Sequence, residues 1–479
     1  VTGDRRITYA DLDSRSNQAA RAFAARGVKE GDRVAVALRN RPEFLIAANG
    51  AARLGAEVIP LSWRYKRDEV HVIVTDASAP LVVAEADAAD TVSELPALLL
   101  GGDFERALDA ESSDPPDDGR DPAPVFFRYY TSGTTGVPKA IERPIPDVTM
   151  YLASIQAFPQ MASVTGPHEV HLACGPLYHT APCAFANYSL LFGQAVVLME
   201  HFDAAECLRL IDAEHVTWSH MVPINFIRVL ALDDATRARF DGSSLKRVLH
   251  AAAPCPIDVK RRIMEVFPPD SVWEYYGMTE GLATIISPQE WRAKPGSVGR
   301  AAPNLRVDIL DEDGKELPTG EVGLIYVSPM GGVHFEYAGA PEKTAQAWRG
   351  DRYTVGDMGY LDADGYLFLT DRKIDMIISG GANIYPAEVE AVFYKHPAVG
   401  DCSVIGIPDD EWGESVLAVV EPRAAVSEDE LIEFCRANLA HFKCPRRIEF
   451  VEQLPRDPNG KVRKRELRDR HWAGREKKI

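Results

Sequence analysis

The chain has 479 residues, 46% hydrophobic and 26% charged, the balance of a folded enzyme and not of a disordered or fibrous chain. A formal net charge of -18 argues against nucleic acid and anionic membrane as general partners, and no apolar run is long enough to span a bilayer. The seven cysteines are scattered without a CxxC pair, which argues against a disulfide framework or a zinc site and for a reducing, cytoplasmic setting.

The length implies one large body and at least one smaller module. No signal peptide is read at the start, yet the chain opens abruptly. It runs from Val1 straight into Thr8-Tyr9-Ala10-Asp11, a capping box, so further N-terminal sequence is expected before it. Residues 8–25 carry helical spacing that stops at Gly27, and 33–38 read as a strand. A second helix after Pro42 stops near Gly55 and leads into a strand at 58–61. Such alternation implies parallel sheets covered by helices. Residues 103–124 are acidic and rich in Asp and Pro, reading as a surface connection, and 125–130 form a β-rich run. Composition changes again near Asp371-Arg372-Lys373. Beyond it a small α+β unit is expected, with strands at 402–407, 415–420 and 448–451 and helices at 386–394 and 427–439. The expected domains are therefore 1–371 and 372–479. From Lys461 to the end nine Lys/Arg face three Asp/Glu, which by composition alone reads as a solvated terminal helix.

The strongest local signal is Tyr130-Thr131-Ser132-Gly133-Thr134-Thr135-Gly136-Val137-Pro138-Lys139. Two glycines allow unusual backbone angles, four hydroxyls offer donors, and the lysine adds positive charge, so the segment can wrap a polyphosphate. It is not the Walker pattern, because Pro138 precedes the lysine and no Ser or Thr follows it. Alone, a hydroxyl-rich turn is often only a turn. Downstream come Pro176-Leu177-Tyr178-His179-Thr180, Glu274-Tyr275-Tyr276-Gly277-Met278-Thr279-Glu280-Gly281 and Tyr353-Thr354-Val355-Gly356-Asp357. Then follow Asp371-Arg372-Lys373-Ile374-Asp375 through Ser379-Gly380-Gly381, and finally Pro458-Asn459-Gly460-Lys461.

This ordered series, spanning essentially the whole chain, resembles the adenylate-forming superfamily of acyl-CoA synthetases, peptide-synthetase adenylation domains and firefly luciferase. The resemblance implies an α/β fold: a large N-terminal domain of two α/β subdomains plus a β-barrel, with a small mobile α+β C-terminal domain. It implies ATP, Mg²⁺ and coenzyme A as cofactors and a small-molecule carboxylic acid as substrate, with a homodimer as one oligomeric alternative. Thr131, Ser132, Gly133, Thr134, Thr135 and Lys139 would hold the β- and γ-phosphates. Glu280 would bring Mg²⁺ to them, a hard cation suited to oxygen ligands. Tyr276 would stack on adenine within Tyr275, Gly277 and Met278, beside Ala252 and Ala253. Asp357 would accept from the ribose hydroxyls with Arg372 beside it, and Thr279 would bond the α-phosphate. Lys461 would bridge carboxylate and α-phosphate, offsetting charge where it grows.

Within the superfamily, 379–390 look like the CoA-ligase form. Gly380 and Gly381 would let pantetheine pass close to the backbone, and Trp412 and Phe442 match aromatics that contact CoA. Cys444 stands where such ligases can carry an arginine. His179 would line the acyl pocket and close the route between carboxylate and thiol. Ala181 replaces a bulkier side chain of aryl-selective relatives and, with Ala184 and Ala186 nearby, implies a roomy apolar pocket, to which Gly277 would also belong. Two departures are Ala251-Ala252-Ala253 in a segment usually rich in glycine, and Ile374 at a hinge position usually Asp or Lys. Three functions follow: a CoA ligase for a hydrophobic acid (fatty, aryl or polycyclic), a stand-alone adenylation enzyme loading an acyl carrier protein, or a catalytically silent binding homologue. The third is disfavoured by the presence of Thr134, Glu280, Asp357 and Lys461.

Overall fold

The computed structural model describes residues 1–116, 124–131, 139–143, 162–329, 334–372, 374–457 and 461–473. Its fold is mixed α/β, and the chain divides into two compact units.

The first unit comprises residues 1–221, 232–249 and 333–346. Its first helix, Tyr9–Ala24, starts at the expected capping box: the Asp11 amide donates to Thr8 Oγ1 at 3.1 Å and the Thr8 amide to the Asp11 carboxylate at 3.0 Å. Pro42, at the first turn, opens the helix Pro42–Arg53. The two helices pack through small residues; a Cβ at Gly50 would lie 2.6 Å from that of Ala19. Beneath them is a parallel sheet in the order Glu57–Pro60, Arg33–Ala37, Leu81–Ala84, Ala97–Leu99. Both faces are covered, as a parallel sheet requires. Val34 and Val36 join Phe23 and Phe44 on one side, while Ala35 and Ala37 join Ile59, Val70 and Ile73 on the other. A second set of parallel strands, Ala195–Leu198, Val170–Ala173 and Trp218–Met221, carries the helix Thr180–Leu191.

Two local expectations change. The acidic stretch from residue 103 begins as a helix, Asp103–Asp109, because Phe104, Ala107 and Leu108 bury an apolar stripe that overall composition hides. In the run 125–130 the strand is confined to Tyr130–Thr131. Phe127 makes only an isolated bridge to Val58, whose amide donates to the Phe126 carbonyl at 2.8 Å.

The second unit comprises residues 222–231, 250–332 and 347–479. The antiparallel pair Val272–Met278 and Gly281–Ile286 is joined by a two-residue turn. A six-stranded sheet built on Gly323–Ser328 and Asp357–Leu361 stands where the resemblance implies a barrel. Near the C-terminus a five-stranded sheet centres on Val399–Asp409 and Gly413–Pro422, with Arg447–Phe450 parallel at its edge. The helices Pro386–Phe393 and Glu428–Asn438 cover it through Val389, Phe393, Leu431 and Cys435. Every strand and helix expected in this region is present. The boundary expected at 371–372 falls inside this unit, at the end of the strand Leu367–Arg372 and before Ile377–Ser379. Among the described residues, no helix is long and apolar enough to cross a membrane.

Candidate active site

In the second unit the strand Val272–Met278 alternates, turning Val272, Glu274 and Tyr276 inward. Tyr276 is 8% exposed, and its hydroxyl donates to Asp357 Oδ2 at 2.7 Å. Asp357 opens the strand Asp357–Leu361, where register places Arg372 opposite it. At the far end of the same hairpin, Met278 pairs with Gly281, which puts Thr279 and Glu280 at the tip of the turn. Gly277 is closely fitted: a Cβ there would stand 3.0 Å from the Gly281 carbonyl oxygen and 3.2 Å from the Leu282 Cα. One hairpin therefore carries the expected adenine, α-phosphate and metal residues. Tyr275 points away from Tyr276 and pairs with Ile285. Ala252 holds a left-handed backbone at φ 76°, strained for a residue with a side chain, and Ala253 follows it half-buried.

Behind Tyr276 lies a charged cluster that sequence reasoning missed. Buried Lys260 bonds Glu274 at 2.5 Å, His250 Nε2 lies 3.6 Å from the same carboxylate, and the ammonium sits 4.7 Å from the Trp291 ring centre. Burial raises the Glu274 carboxyl above its ordinary value, and Lys260 opposes that shift. A glutamate two residues before the tyrosine, inside an alternating strand, was the available signal.

In the first unit Thr131 pairs with Lys139, closing the base of the hydroxyl-rich loop. Ser132, Gly133, Thr134 and Thr135 lie outside the described residues. His179 is the N-cap of the helix Thr180–Leu191, its ring tilted against Tyr178 at 4.5 Å. Ala181, Ala184 and Tyr188 share a half-exposed helix face, whereas Ala186, expected beside the pocket, enters the core with Cys183 because it falls on the opposite side of the helix. The turn before His179 is held by Asn40, a second residue missed in the sequence. Its side chain donates to the carbonyls of Gly175 at 2.7 Å and Met199 at 3.0 Å and accepts from the Leu177 amide at 2.8 Å. Its signal was a polar residue just past the C-terminal end of a parallel strand.

In the C-terminal part, Gly380 and Gly381 form a tight turn with φ of 57° and 82°, which demands glycine. A Cβ at Gly380 would lie 2.4 Å from the Trp412 ring, so that indole occupies the space the glycine leaves. Trp412 and Phe442 are exposed, at 41% and 54%. Cys444 is buried, whereas the Arg446 guanidinium lies 5.3 Å from the Trp412 ring centre. Ile374 is exposed, and its carbonyl accepts from Arg468 at 2.7 Å. Lys461 is exposed, its amide bonded to Asp457 at 2.9 Å; residues 458–460 of that motif lie outside the described residues.

Comparison with known proteins identifies the architecture. The model of the AMP-binding enzyme family matches residues 1–333, and that of the AMP-binding enzyme C-terminal domain matches 388–461. The long-chain-fatty-acid–CoA ligase FadD13 of Mycobacterium tuberculosis is 32% identical over 98% of this chain and 94% of its own length. The fatty acid–[acyl-carrier-protein] ligase ScoC of Streptomyces coeruleorubidus is 32% identical over 99% of this chain and 93% of its own. The o-succinylbenzoate CoA synthetase (MenE) of Bacillus subtilis, solved with the acyl-adenylate intermediate OSB-AMP, superposes with a TM-score of 0.83. It is 27% identical, covering 100% of this chain and 96% of that one. The chain belongs to the AMP-binding enzyme family, within the adenylate-forming superfamily and close to its acyl-CoA ligases.

Proposed function

We propose that the chain is an ATP-dependent ligase joining a hydrophobic carboxylic acid, fatty, aryl or polycyclic, to coenzyme A. The observation that carries this reading is the Tyr276–Asp357 hydrogen bond beneath the Thr279–Glu280 turn, which makes nucleoside and phosphate recognition parts of one element.

In the first step a carboxylate oxygen attacks the α-phosphorus of ATP. The bond to the β-phosphate oxygen breaks, pyrophosphate leaves, and acyl-AMP remains. Tyr276 stacks on adenine, Asp357 accepts from the ribose hydroxyls with Arg372 beside it, and Thr279 donates to the α-phosphate. The loop ending in Lys139 holds the outer phosphates. Lys461 places positive charge between two anions that must approach, worth the most where water is excluded. The donor set fits Mg²⁺. Glu280 offers one carboxylate beside the Thr279 hydroxyl, and no cluster of three or more His, Cys, Asp or Glu occurs among the described residues. Phosphates and water would complete the shell, the usual way this ion is held. Bound there, Mg²⁺ would supply neutralisation of the departing pyrophosphate.

In the second step the CoA sulfur attacks the acyl carbon, the acyl–phosphate C–O bond breaks, AMP departs and the thiol proton is released. Trp412 and Phe442 offer aromatic surface to CoA, and Arg446 offers a phosphate the cation that Cys444 does not. His179 lines the acyl route, with Ala181 and Ala184 leaving room beside it. The module from 372 onward turns about Ile374 between the steps.

The relation to ScoC keeps carrier-protein loading as the second reading. Acid and ATP supplied with equal concentrations of CoA or holo-carrier protein separate the two. Faster thioester formation on CoA is expected, and preference for the carrier would replace CoA as the acceptor.

A further inference from the structure

Lys461 is an exposed residue of an antiparallel hairpin whose described residues are 455–457 and 461–463. Arg456 and Val462 form an antiparallel bridge, the Asp457 amide donates to the Lys461 carbonyl at 2.7 Å, and the Arg463 amide donates to the Pro455 carbonyl at 2.7 Å. Val462 packs against the cluster of Ile405, Leu417 and Val419, and Arg456 adds a polar tie to the sheet. Its guanidinium turns inward and pairs with Asp401, whose side chain is 5% exposed, on the strand Val399–Asp409. Asp401 Oδ1 is itself aimed by two donors, the Tyr394 hydroxyl at 2.6 Å and the Cys402 amide at 2.8 Å. Just beyond the hairpin, Lys464 pairs with Glu390 at 2.9 Å, and Glu390 also accepts from the Val404 amide at 2.8 Å.

The two ties bracket Lys461 in sequence: one ends at Asp401 on the strand Val399–Asp409, the other at Glu390 on the helix Pro386–Phe393, which is bonded to that strand through the Val404 amide. Arg456 and Asp401 are charges taken largely out of water, where the pair is held only because extra donors satisfy the carboxylate. Burial and the neighbouring carboxylate keep the Tyr394 phenol protonated, so it remains a donor. Removing a single partner therefore alters the geometry of the hairpin and not merely its charge.

We propose that Tyr394, Asp401 and Arg456 are positioning residues for Lys461: the aimed carboxylate holds the guanidinium, and the guanidinium sets the hairpin that presents the lysine. This rests on the role proposed above for Lys461. The lysine offsets charge only while the carboxylate attacks phosphorus, so its positioning matters for adenylation and not for thioester formation from preformed acyl-adenylate.

The test measures both half-reactions of the full chain: acid-dependent ATP–pyrophosphate exchange, and thioester formation from supplied acyl-adenylate and CoA. Asp401→Asn and Tyr394→Phe are compared with Lys461→Ala. Misplacing a catalytic group by about 1 Å can cost about 10²-fold. Asp401→Asn is expected to lose about 10-fold to 10²-fold in exchange and Tyr394→Phe somewhat less, both with an unchanged KM for ATP. The thioester step stays near the parental rate and reports that the module is folded. If Asp401→Asn loses both steps through misfolding, Tyr394→Phe, which keeps the ion pair, decides. Equal loss of both steps in Tyr394→Phe, or parental exchange in both variants, overturns the inference. Parental exchange in Lys461→Ala would instead overturn the reading of the lysine, and the positioning role with it.

Discussion

At Gly281 the space that a Cβ would take lies 2.5 Å from the Tyr353 hydroxyl oxygen but 3.7 Å from the ring carbon bearing it. The same hydroxyl lies 3.7 Å from the Met278 sulfur, so Tyr353 sits under both ends of the Thr279–Glu280 turn. Tyr353 is 1% exposed and cannot swing into solvent. An alanine at 281 must therefore push the turn that carries the α-phosphate and metal residues. Gly281→Ala is expected to slow pyrophosphate exchange by about 10-fold or more, because a shift of that size spoils near-attack geometry. Adding Tyr353→Phe removes the clashing atom and leaves ordinary van der Waals contact, so the double variant should recover most of the lost rate. A double variant as slow as the single one would show that the hydroxyl does not set the turn.

Among the elements, the strands Val170–Ala173 and Trp218–Met221 bury two histidines. His171 stacks on Trp218 at 3.8 Å and shares a hydrogen bond of 2.9 Å with Ser189; His220 packs beside Phe185. Burial lowers both from the ordinary 6.5 to about 3. Both are neutral in the folded chain. Below 6.5 the unfolded chain binds protons that the folded one does not, so stability is whole above that pH and falls as pH drops toward 3. Each histidine contributes a slope of about 1.4 kcal/mol per pH unit in that window. Urea denaturation between neutrality and about pH 5 should show this slope, reduced by roughly half in His220→Gln. An unchanged slope in that variant would mean that His220 is protonated in the folded state.

The same elements show what the sequence makes legible. Thr8 and Asp11 announce the first helix because the capping box is local, and the C-terminal strands are legible because their apolar period is strong. The hairpin that gathers Tyr276, Thr279 and Glu280 is written in one short motif, but Asp357 and Arg372 joined it only through the family resemblance. For Asn40 the place after a strand was legible but its role was not, because its partners lie more than 130 residues away. Glu274 could be placed on the inward face by its strand alternation, but its partner Lys260 could not, because charged side chains ordinarily mark exposed faces and only packing shows that these two face one another.

For the whole molecule, the proposed chemistry is two steps on one acid, with Lys461 serving the first and the Gly380–Trp412 face the second. The matched family models accommodate that division, one covering residues 1–333 and the other 388–461. Ile374, between the strands Leu367–Arg372 and Ile377–Ser379, is the proposed pivot. The most direct test is ATP–pyrophosphate exchange with fatty, aryl and polycyclic acids offered singly, followed by addition of CoA. Exchange that depends on a hydrophobic acid and Mg²⁺, falls by about 10²-fold or more in Lys461→Ala, and yields AMP with acyl-CoA when CoA is added is the predicted result. Acid-independent ATP cleavage, or thioester formation releasing ADP and phosphate in place of AMP and pyrophosphate, would contradict it.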